Sequence, residues 1–148
     1  MQIRSQDPAS IELGISGYQY PDLASHGERD WDANWLRIRG AVTQADGKTW
    51  AFEDPCLTTW EAEALGTWLA DVAAGTVPRS PFGTGEPDQL LMFTEPNIAF
   101  SVERRIGDRV LVRAHFSLEA LPPWFQGKDR PDIFEYFVLL DAASAELS

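Results

Sequence analysis

Residues 34–53 read NWLRIRGAVTQADGKTWAFE and decide the fold, because apolar and polar side chains alternate on both sides of one turn. Leu36, Ile38 and Val42 share one face of an extended chain, while arginine and threonine side chains take the other face. The dipeptide Asp46-Gly47 between the two halves is typical of a hairpin turn. Since one face is polar, the stretch predicts an antiparallel hairpin with one side in water.

Further alternating stretches extend this sheet before and after the hairpin. Residues 11–18 predict a strand ahead of it, and residues 109–119 give the clearest pattern after it, with His115 on the polar side. The remaining candidate strands are residues 90–93, 97–104 and 134–140. The chain therefore predicts six or seven strands, mostly antiparallel.

The period changes after Pro55 and predicts one main helix over about residues 58–74. Apolar residues recur there every three or four positions, namely Leu57, Trp60, Ala64, Leu65, Trp68, Leu69 and Val72. Thr58 and Glu61 form a capping-box pattern at the start, and Gly75 provides a stop. We expect this helix to pack on the sheet with both tryptophans in the core, which gives an α+β fold.

Composition favours one globular domain spanning residues 1–148. Hydrophobic residues make up 44% of the chain, and no repeat, low-complexity tract or long linker divides it. Any disorder is expected at the ends, above all in residues 1–10. Asp141 is placed to cap a short terminal helix. The sequence leaves the oligomeric state open.

The strongest bulk property is a formal net charge of -11. The excess leans toward the amino-terminal half, where residues 1–71 hold twelve acidic and five basic side chains. A field of this sign repels nucleic acid and anionic membranes and attracts a basic protein partner. The alternative is that the acidity only keeps the protein soluble.

The polar amino terminus, the lack of a window apolar enough to span a membrane and the single cysteine together predict a cytoplasmic protein. The first ten residues are polar, without the apolar stretch of a signal peptide, and no window is apolar enough for a membrane span. Cys56 is the single cysteine and cannot form an internal disulfide, which agrees with a reducing compartment.

Metal and cofactor sites are not predicted. Asp30-Trp31-Asp32-Ala33-Asn34 begins like a calcium loop, but Trp35 occupies the position of the turn glycine and Ala41 that of the closing glutamate. The chain's histidines, His26 and His115, and Cys56 are single residues without the short spacing of zinc ligands.

Catalytic residues are not predicted either. Gly14-Ile15-Ser16-Gly17 lacks the spacing of a nucleophile elbow, and Gly83-Thr84-Gly85 is followed by acidic residues that would repel a phosphate. Paired carboxylates such as Glu95 and Glu119 could serve a glycosidase, but a domain of this size leaves little room for a deep cleft. We therefore expect a protein that is not an enzyme.

Four stretches in a fixed order carry a resemblance to a known family. They are GYQYP (17–21), DANWL (32–36), PCLTT (55–59) leading into the helix, and FTEPNIAF (93–100). In this order the chain resembles the WapI-type family of bacterial toxin immunity proteins, from about residue 11 to about residue 141. The resemblance implies a cytoplasmic protein that binds and neutralises a cognate polymorphic toxin, often a nuclease, without catalysis.

A contact surface for such a basic partner is predicted in the acidic loop after the first long strand. Its candidate partner-binding residues are Asp22, Glu28, Asp30, Trp31 and Asp32. Carboxylates would speed association and an exposed aromatic ring would anchor the interface. Two alternatives stay open. In the first, Trp31 or Trp35 covers the sheet edge and the acidic side chains are only solvated. In the second, the chain is a small-ligand or carbohydrate-binding domain without catalysis.

Overall fold

The computed structural model describes residues 1–23, 31–80 and 90–147, and in these residues the predicted α+β class is confirmed. Its strands form two antiparallel sheets, in the orders β1-β2-β3-β4 and β5-β6-β7. The elements are β1 (Gln2–Arg4), β2 (Ser10–Tyr18), β3 (Trp35–Thr43), β4 (Thr49–Thr58), α1 (Thr59–Ala74), β5 (Ile98–Ile106), β6 (Arg109–Phe116) and β7 (Phe137–Ala143). Within each sheet, strands that are consecutive in the sequence pair with each other, while β4 and β5 belong to different sheets.

The hairpin predicted from residues 34–53 is formed by β3 and β4. Its turn is closed by hydrogen bonds from Gln44 N to Lys48 O (2.8 Å) and from Gly47 N to Gln44 O (2.9 Å). Gly47 has a φ of 89°, a conformation that glycine adopts without strain. Ile38 and Val42 are each 2% exposed, while Arg39 and Ala41 between them face solvent, as the alternation predicted.

Helix α1 begins and ends where its capping signals predicted. Glu61 N donates to Thr58 Oγ1 at 3.3 Å and Thr58 N donates to Glu61 Oε2 at 2.9 Å, which completes the capping box. Gly75 ends the helix in the left-handed conformation, with a φ of 82°. None of the helices in the described residues is long and apolar enough to cross a membrane.

The two tryptophans of α1 have different environments. Trp68 packs against Phe100 of β5, with ring centroids 5.9 Å apart, and belongs to the edge of the core. Trp60 is half-buried and lies outside the core cluster, with its ring 4.7 Å from that of Trp31. The expectation that both rings lie in the core is thus correct for Trp68 and wrong for Trp60.

Aromatic side chains fill the space between the two sheets. The ring of Trp50 on β4 lies 5.2 Å from that of Phe116 on β6, and Phe52 approaches Phe116 at 6.1 Å. Trp50 Nε1 donates to Ala120 O at 2.9 Å, which satisfies the indole in a buried position. Gly40 faces Phe52 across the strands, and a Cβ there would lie 2.3 Å from the ring. Glycine at this position therefore lets the ring lie directly on the backbone.

The polar face of β6 is buried, contrary to the alternation that placed it in water. Arg113 and His115 are 2% and 4% exposed. Loops on both sides cover them: Ser80 N donates to Val102 O (2.7 Å) and Phe134 N donates to Ser117 Oγ (2.9 Å). A loop that returns over a sheet leaves no periodic signal in the strand it covers.

Three further segments, the two chain ends and residues 90–93, also differ from the expectation. Residues 1–10 contain β1, with Ile3 only 2% and Ala9 only 1% exposed. Residues 90–93 form a single bridge, between Leu91 and Phe100, instead of a strand. Asp141 lies within β7 and accepts a hydrogen bond from Arg109 Nε at 2.8 Å, and only the 3-10 turn Ser144–Glu146 follows it.

Candidate partner-binding site

One end of the molecule carries an open groove of about 310 Å³ with four carboxylates in its lining. We call it the acidic groove, and its lining residues are Gln19, Tyr20, Asp32, Trp35, Asp54, Pro55, Glu95 and Glu119. Among the residues that the structure describes, this lining contains no lysine or arginine. The groove therefore offers hydrogen-bond acceptors and negative charge beside two aromatic rings.

The groove lies at this end because the strands that build it reach the same edge of the fold. It receives the end of β2, the start of β3, the second half of β4 and the chain that leads into β5 and out of β6. Two register shifts fall here, between Ile15 and Gly17 and between Leu36 and Ile38. Such bulges bend strands and redirect side chains, often beside functional sites.

Asp54 is the carboxylate that the fold places furthest inward. It follows Trp50 and Phe52 at a spacing of two on β4 and pairs with Ile38, so it points to the core side of the sheet. The side chain is half-buried. Sequence reasoning missed this residue, although the run Trp50, Phe52, Asp54 carries the signal in its alternation.

Burial raises the pKa of Asp54 above its ordinary value, and the carboxylates of Glu119 and Glu95 raise it further. Arg37 offsets part of this effect. The guanidinium of Arg37 is engaged elsewhere, because it donates to Gln19 Oε1 at 3.1 Å and to Glu53 Oε1 at 3.2 Å. The described part of the groove lining thus keeps negative charges together without a lysine or arginine.

Glu61 connects helix α1 to the loop that carries Glu95. Besides its capping contact, Glu61 Oε1 accepts hydrogen bonds from Thr94 N and Thr94 Oγ1, both at 2.7 Å. Glu61 is 9% exposed, so these charge-assisted bonds form largely away from water. Its carboxylate therefore fixes the backbone one residue before Glu95.

Asn97 positions the carboxylate of Glu119 in the same way. Asn97 Nδ2 donates to Glu119 Oε2 at 2.8 Å, and Asn97 O accepts from Ser117 N at 2.9 Å. Leu118, between these two contacts, has a φ of 52°, which is strained for a residue with a side chain. The structure therefore brings Glu95 and Glu119, considered from sequence as a carboxylate pair, into one groove.

Three of the five predicted contact residues belong to the described part of the chain, and they lie in or beside the acidic groove. Asp32 lines it, and Asp22 is exposed in the turn Pro21–Leu23, in which Leu23 N donates to Tyr20 O at 3.0 Å. Trp31 is 52% exposed and stands edge-on to Trp60. The other two predicted contact residues, Glu28 and Asp30, lie outside the described residues.

His115 forms a buried polar network with Ser101. Its Nε2 lies 2.9 Å from Ser101 Oγ, and its Nδ1 lies 2.8 Å from Phe134 O. Because a carbonyl can only accept, Nδ1 carries the proton and Nε2 accepts from the serine. Burial lowers the pKa of His115 to about 4. With Ser101 1% and His115 4% exposed, this pair holds the covering loop and does not face a substrate.

No group of histidine, cysteine and acidic side chains in residues 1–23, 31–80 and 90–147 is arranged to hold a metal ion. Burial, with neighbouring carboxylates, raises the pKa of the Cys56 thiol to about 12, which keeps it protonated. The volume of the acidic groove lies at the lower limit for small-molecule pockets, roughly 300 to 1,000 Å³. An open surface of this kind suits a protein partner better than a small ligand.

Replacing Asp54 with asparagine is expected to stabilise the protein at pH 7 by about 0.5 kcal/mol. The pKa of Asp54 is higher in the folded than in the unfolded chain. The stability that the protonated side chain contributes is therefore present at pH values below the ordinary pKa of about 4, and it is lost as the pH rises through the folded pKa. The advantage of Asp54→Asn should therefore vanish below about pH 4. Urea unfolding from pH 3 to pH 8 measures it.

Asp108→Asn is the matched control, because Asp108 is exposed in the turn between β5 and β6. This change should leave the pH profile of stability parallel to that of the unmodified protein. An equally parallel profile for Asp54→Asn would show that the pKa of Asp54 is not raised in the folded protein.

The chain is thus a two-sheet α+β protein with an acidic groove. The chain belongs to the immunity protein WapI-like family, whose family model matches residues 2–147. No curated protein and no solved structure shows significant similarity to the chain. Family membership gives the protein an immunity role in general terms.

Proposed function

We propose that this protein binds a cognate polymorphic toxin through the acidic groove and neutralises it without catalysis. The partner surface is basic, as expected of a nuclease domain that must bind phosphates. The binding surface includes Asp32 in the groove and Asp22 and Trp31 beside it. The encounter takes place in the cytoplasm, without contact to nucleic acid or membrane.

The observation that carries this proposal is the convergence of four carboxylates in one groove. Asp32, Asp54, Glu95 and Glu119 come from separate segments, and the lining residues that the structure describes include no lysine or arginine beside them. Like charges held together destabilise a fold, and such costs are concentrated at functional sites. Burial is the main cause of the raised pKa of Asp54, and a basic surface that docks here would relieve the repulsion from Glu119 and Glu95 that adds to it.

Aromatic side chains beside the carboxylates support the same proposal. Tyr20 in the groove is 46% exposed and Trp31 next to it is 52% exposed. Tyrosine and tryptophan are enriched among the residues that contribute most to protein interfaces. Their rings can also stack on arginine or lysine side chains of a partner.

Charge reversal at the groove tests the proposal. The probe is the purified carboxy-terminal domain of the toxin encoded by the neighbouring reading frame, titrated by calorimetry. Asp22→Lys combined with Glu95→Lys is expected to weaken binding by roughly 100-fold, because two attractive contacts become repulsive. Both side chains are exposed, so the fold should persist.

Asp71→Lys combined with Asp108→Lys is the control, with the same change in net charge. Asp71 lies near the end of α1 and Asp108 in the β5–β6 turn, away from the groove. This variant should change affinity by about threefold or less, through the long-range field alone. Equal losses for both variants, an affinity insensitive to salt, or a neighbouring frame that encodes no toxin would contradict the proposal.

A further inference from the structure

The outer edge of β2 is open over its second half. β1 pairs with β2 only at Ser10, Ile11 and Glu12, and the contact ends with Met1, which exchanges two backbone hydrogen bonds of 2.9 Å with Leu13. Beyond Leu13, none of the described residues pairs with this edge. Within the described part of the chain, Gly14–Tyr18 therefore pair with β3 on one side only.

The backbone groups of Ile15 point out of this open edge. In an antiparallel ladder the N–H and C=O of successive residues alternate between the two neighbouring strands. Because those of Leu13 face β1, those of Ile15, two residues later, face the same side. After the bulge, Gln19 N donates to Trp35 O at 2.8 Å, so Gln19 faces β3 and Tyr18 faces outward again.

This edge lacks most of the devices by which natural sheets prevent further pairing. Charged residues and prolines usually protect such an edge, yet residues 13–18 read LGISGY and contain neither. One bulge interrupts the register, after Ile15. Ile15 is 61% and Tyr18 is 39% exposed. The strand offers unpaired backbone groups and apolar side chains to solvent.

We infer that an extended, basic segment of the toxin adds to this edge as a further strand of the first sheet. This inference rests on the proposed function and names its mode of recognition. Strand addition gives affinity through main-chain hydrogen bonds, while side chains on alternate positions give specificity. The edge thus supplies the backbone contacts, and the neighbouring acidic groove supplies the charge contacts.

Position and charge favour a basic segment as the occupant. The open edge runs directly into Gln19 and Tyr20, which line the acidic groove. At its other end stands the exposed carboxylate of Glu12, and Asp22 follows the groove residues in the chain. A segment along the edge would therefore meet carboxylates at both ends. A second copy of this chain, with its own net charge of -11, would be repelled.

Amide hydrogen exchange detected by NMR tests the added strand on the unmodified protein. In the free protein the Ile15 amide, which has no partner among the described residues, is expected to exchange rapidly. In the complex with the purified carboxy-terminal toxin domain it should exchange at least 100-fold more slowly. The Gly14 amide, already directed at β3, should change little.

Two substitutions at one position separate the backbone contact from the side-chain contact. Ile15→Pro and Ile15→Ala both remove the isoleucine side chain, but only proline also removes the amide donor, and an edge strand tolerates proline. Ile15→Pro should bind the toxin domain at least tenfold more weakly than Ile15→Ala. Thermal unfolding of both variants verifies that the fold is retained.

The outcomes distinguish this inference from the proposed function. If calorimetry shows binding while the Ile15 amide stays unprotected, the added strand is refuted and the proposed function stands. If no toxin domain binds, both are refuted. If light scattering shows that the free protein is a dimer in which the Ile15 amide is already protected, the edge belongs to a second copy and the inference is wrong.

Discussion

Replacement of Trp50 by alanine is expected to lower the free energy of unfolding by about 3 to 5 kcal/mol. The indole is 6% exposed and contacts Phe116, Trp124 and Tyr136, with centroids 5.2, 5.5 and 6.1 Å away. Removing it leaves a cavity between the sheets and frees the carbonyl of Ala120. For a chain of this length the midpoint of thermal unfolding should fall by roughly 6 to 20 °C.

Trp31→Ala is the matched control, because the same side chain is removed from a site that is 52% exposed. Its cost should be about 1 kcal/mol or less. Trp50→Phe keeps most of the packing and loses the hydrogen bond, so an intermediate cost of about 1 to 3 kcal/mol is expected. Urea denaturation measures all three. Similar losses for Trp50→Ala and Trp31→Ala would disprove the central position assigned to Trp50.

Glu61→Ala is expected to cost about 2 to 3 kcal/mol, an unusual amount for an acidic residue on a helix. Its carboxylate accepts hydrogen bonds from Thr58 N, Thr94 N and Thr94 Oγ1 at 2.7 to 2.9 Å. Alanine leaves these donors without an acceptor in a site that is largely closed to water. The start of α1 and the loop before β5 should loosen together.

Glu63→Ala, two residues further along the same helix, separates this effect from the loss of a charge. Glu63 is exposed, and its replacement should change stability by about 0.5 kcal/mol or less. Glu61→Gln retains one acceptor oxygen and should recover part of the loss. Chemical denaturation gives the three values. If Glu61→Ala proves as mild as Glu63→Ala, the carboxylate does not join the helix to the loop.

Local signals in the sequence were sufficient for the elements with nearby partners. The turn at Gly47, the capping box of Thr58 and Glu61 and the stop at Gly75 each involve residues within a few positions of one another. Such contacts form in any context that allows the element, so pattern and propensity predict them. The helix and the central hairpin follow from them.

Contacts between distant segments were not predictable from pattern alone. The buried face around Arg113 and His115 is covered by loops that come from residues 80 and 134 in the chain. The separation of the strands into two sheets likewise depends on which strands pair, which alternation does not specify. Arg113 and His115 looked like solvent-facing residues because their strand alternates regularly.

The candidate site was predicted in part. Asp22, Trp31 and Asp32 lie in or beside the acidic groove. The carboxylates of Asp54, Glu95 and Glu119 complete it from segments that are far apart in the sequence. Asp54 could have been found, since an acidic residue in phase with Trp50 and Phe52 points toward the core. The sequence offered Glu95 and Glu119 as a possible carboxylate pair, but their meeting with Asp32 and Asp54 in one groove depends on sheet pairing, which has no local signal.

The acidic groove exists only when the whole chain is folded, because its lining runs from Gln19 to Glu119. No short peptide cut from the sequence can reproduce it, so it behaves as a conformational epitope. A toxin that recognises it binds the native state alone, and each tenfold excess of toxin over its dissociation constant adds about 1.4 kcal/mol to the apparent stability. A bound toxin would thus stabilise the native state of this protein and slow its proteolysis.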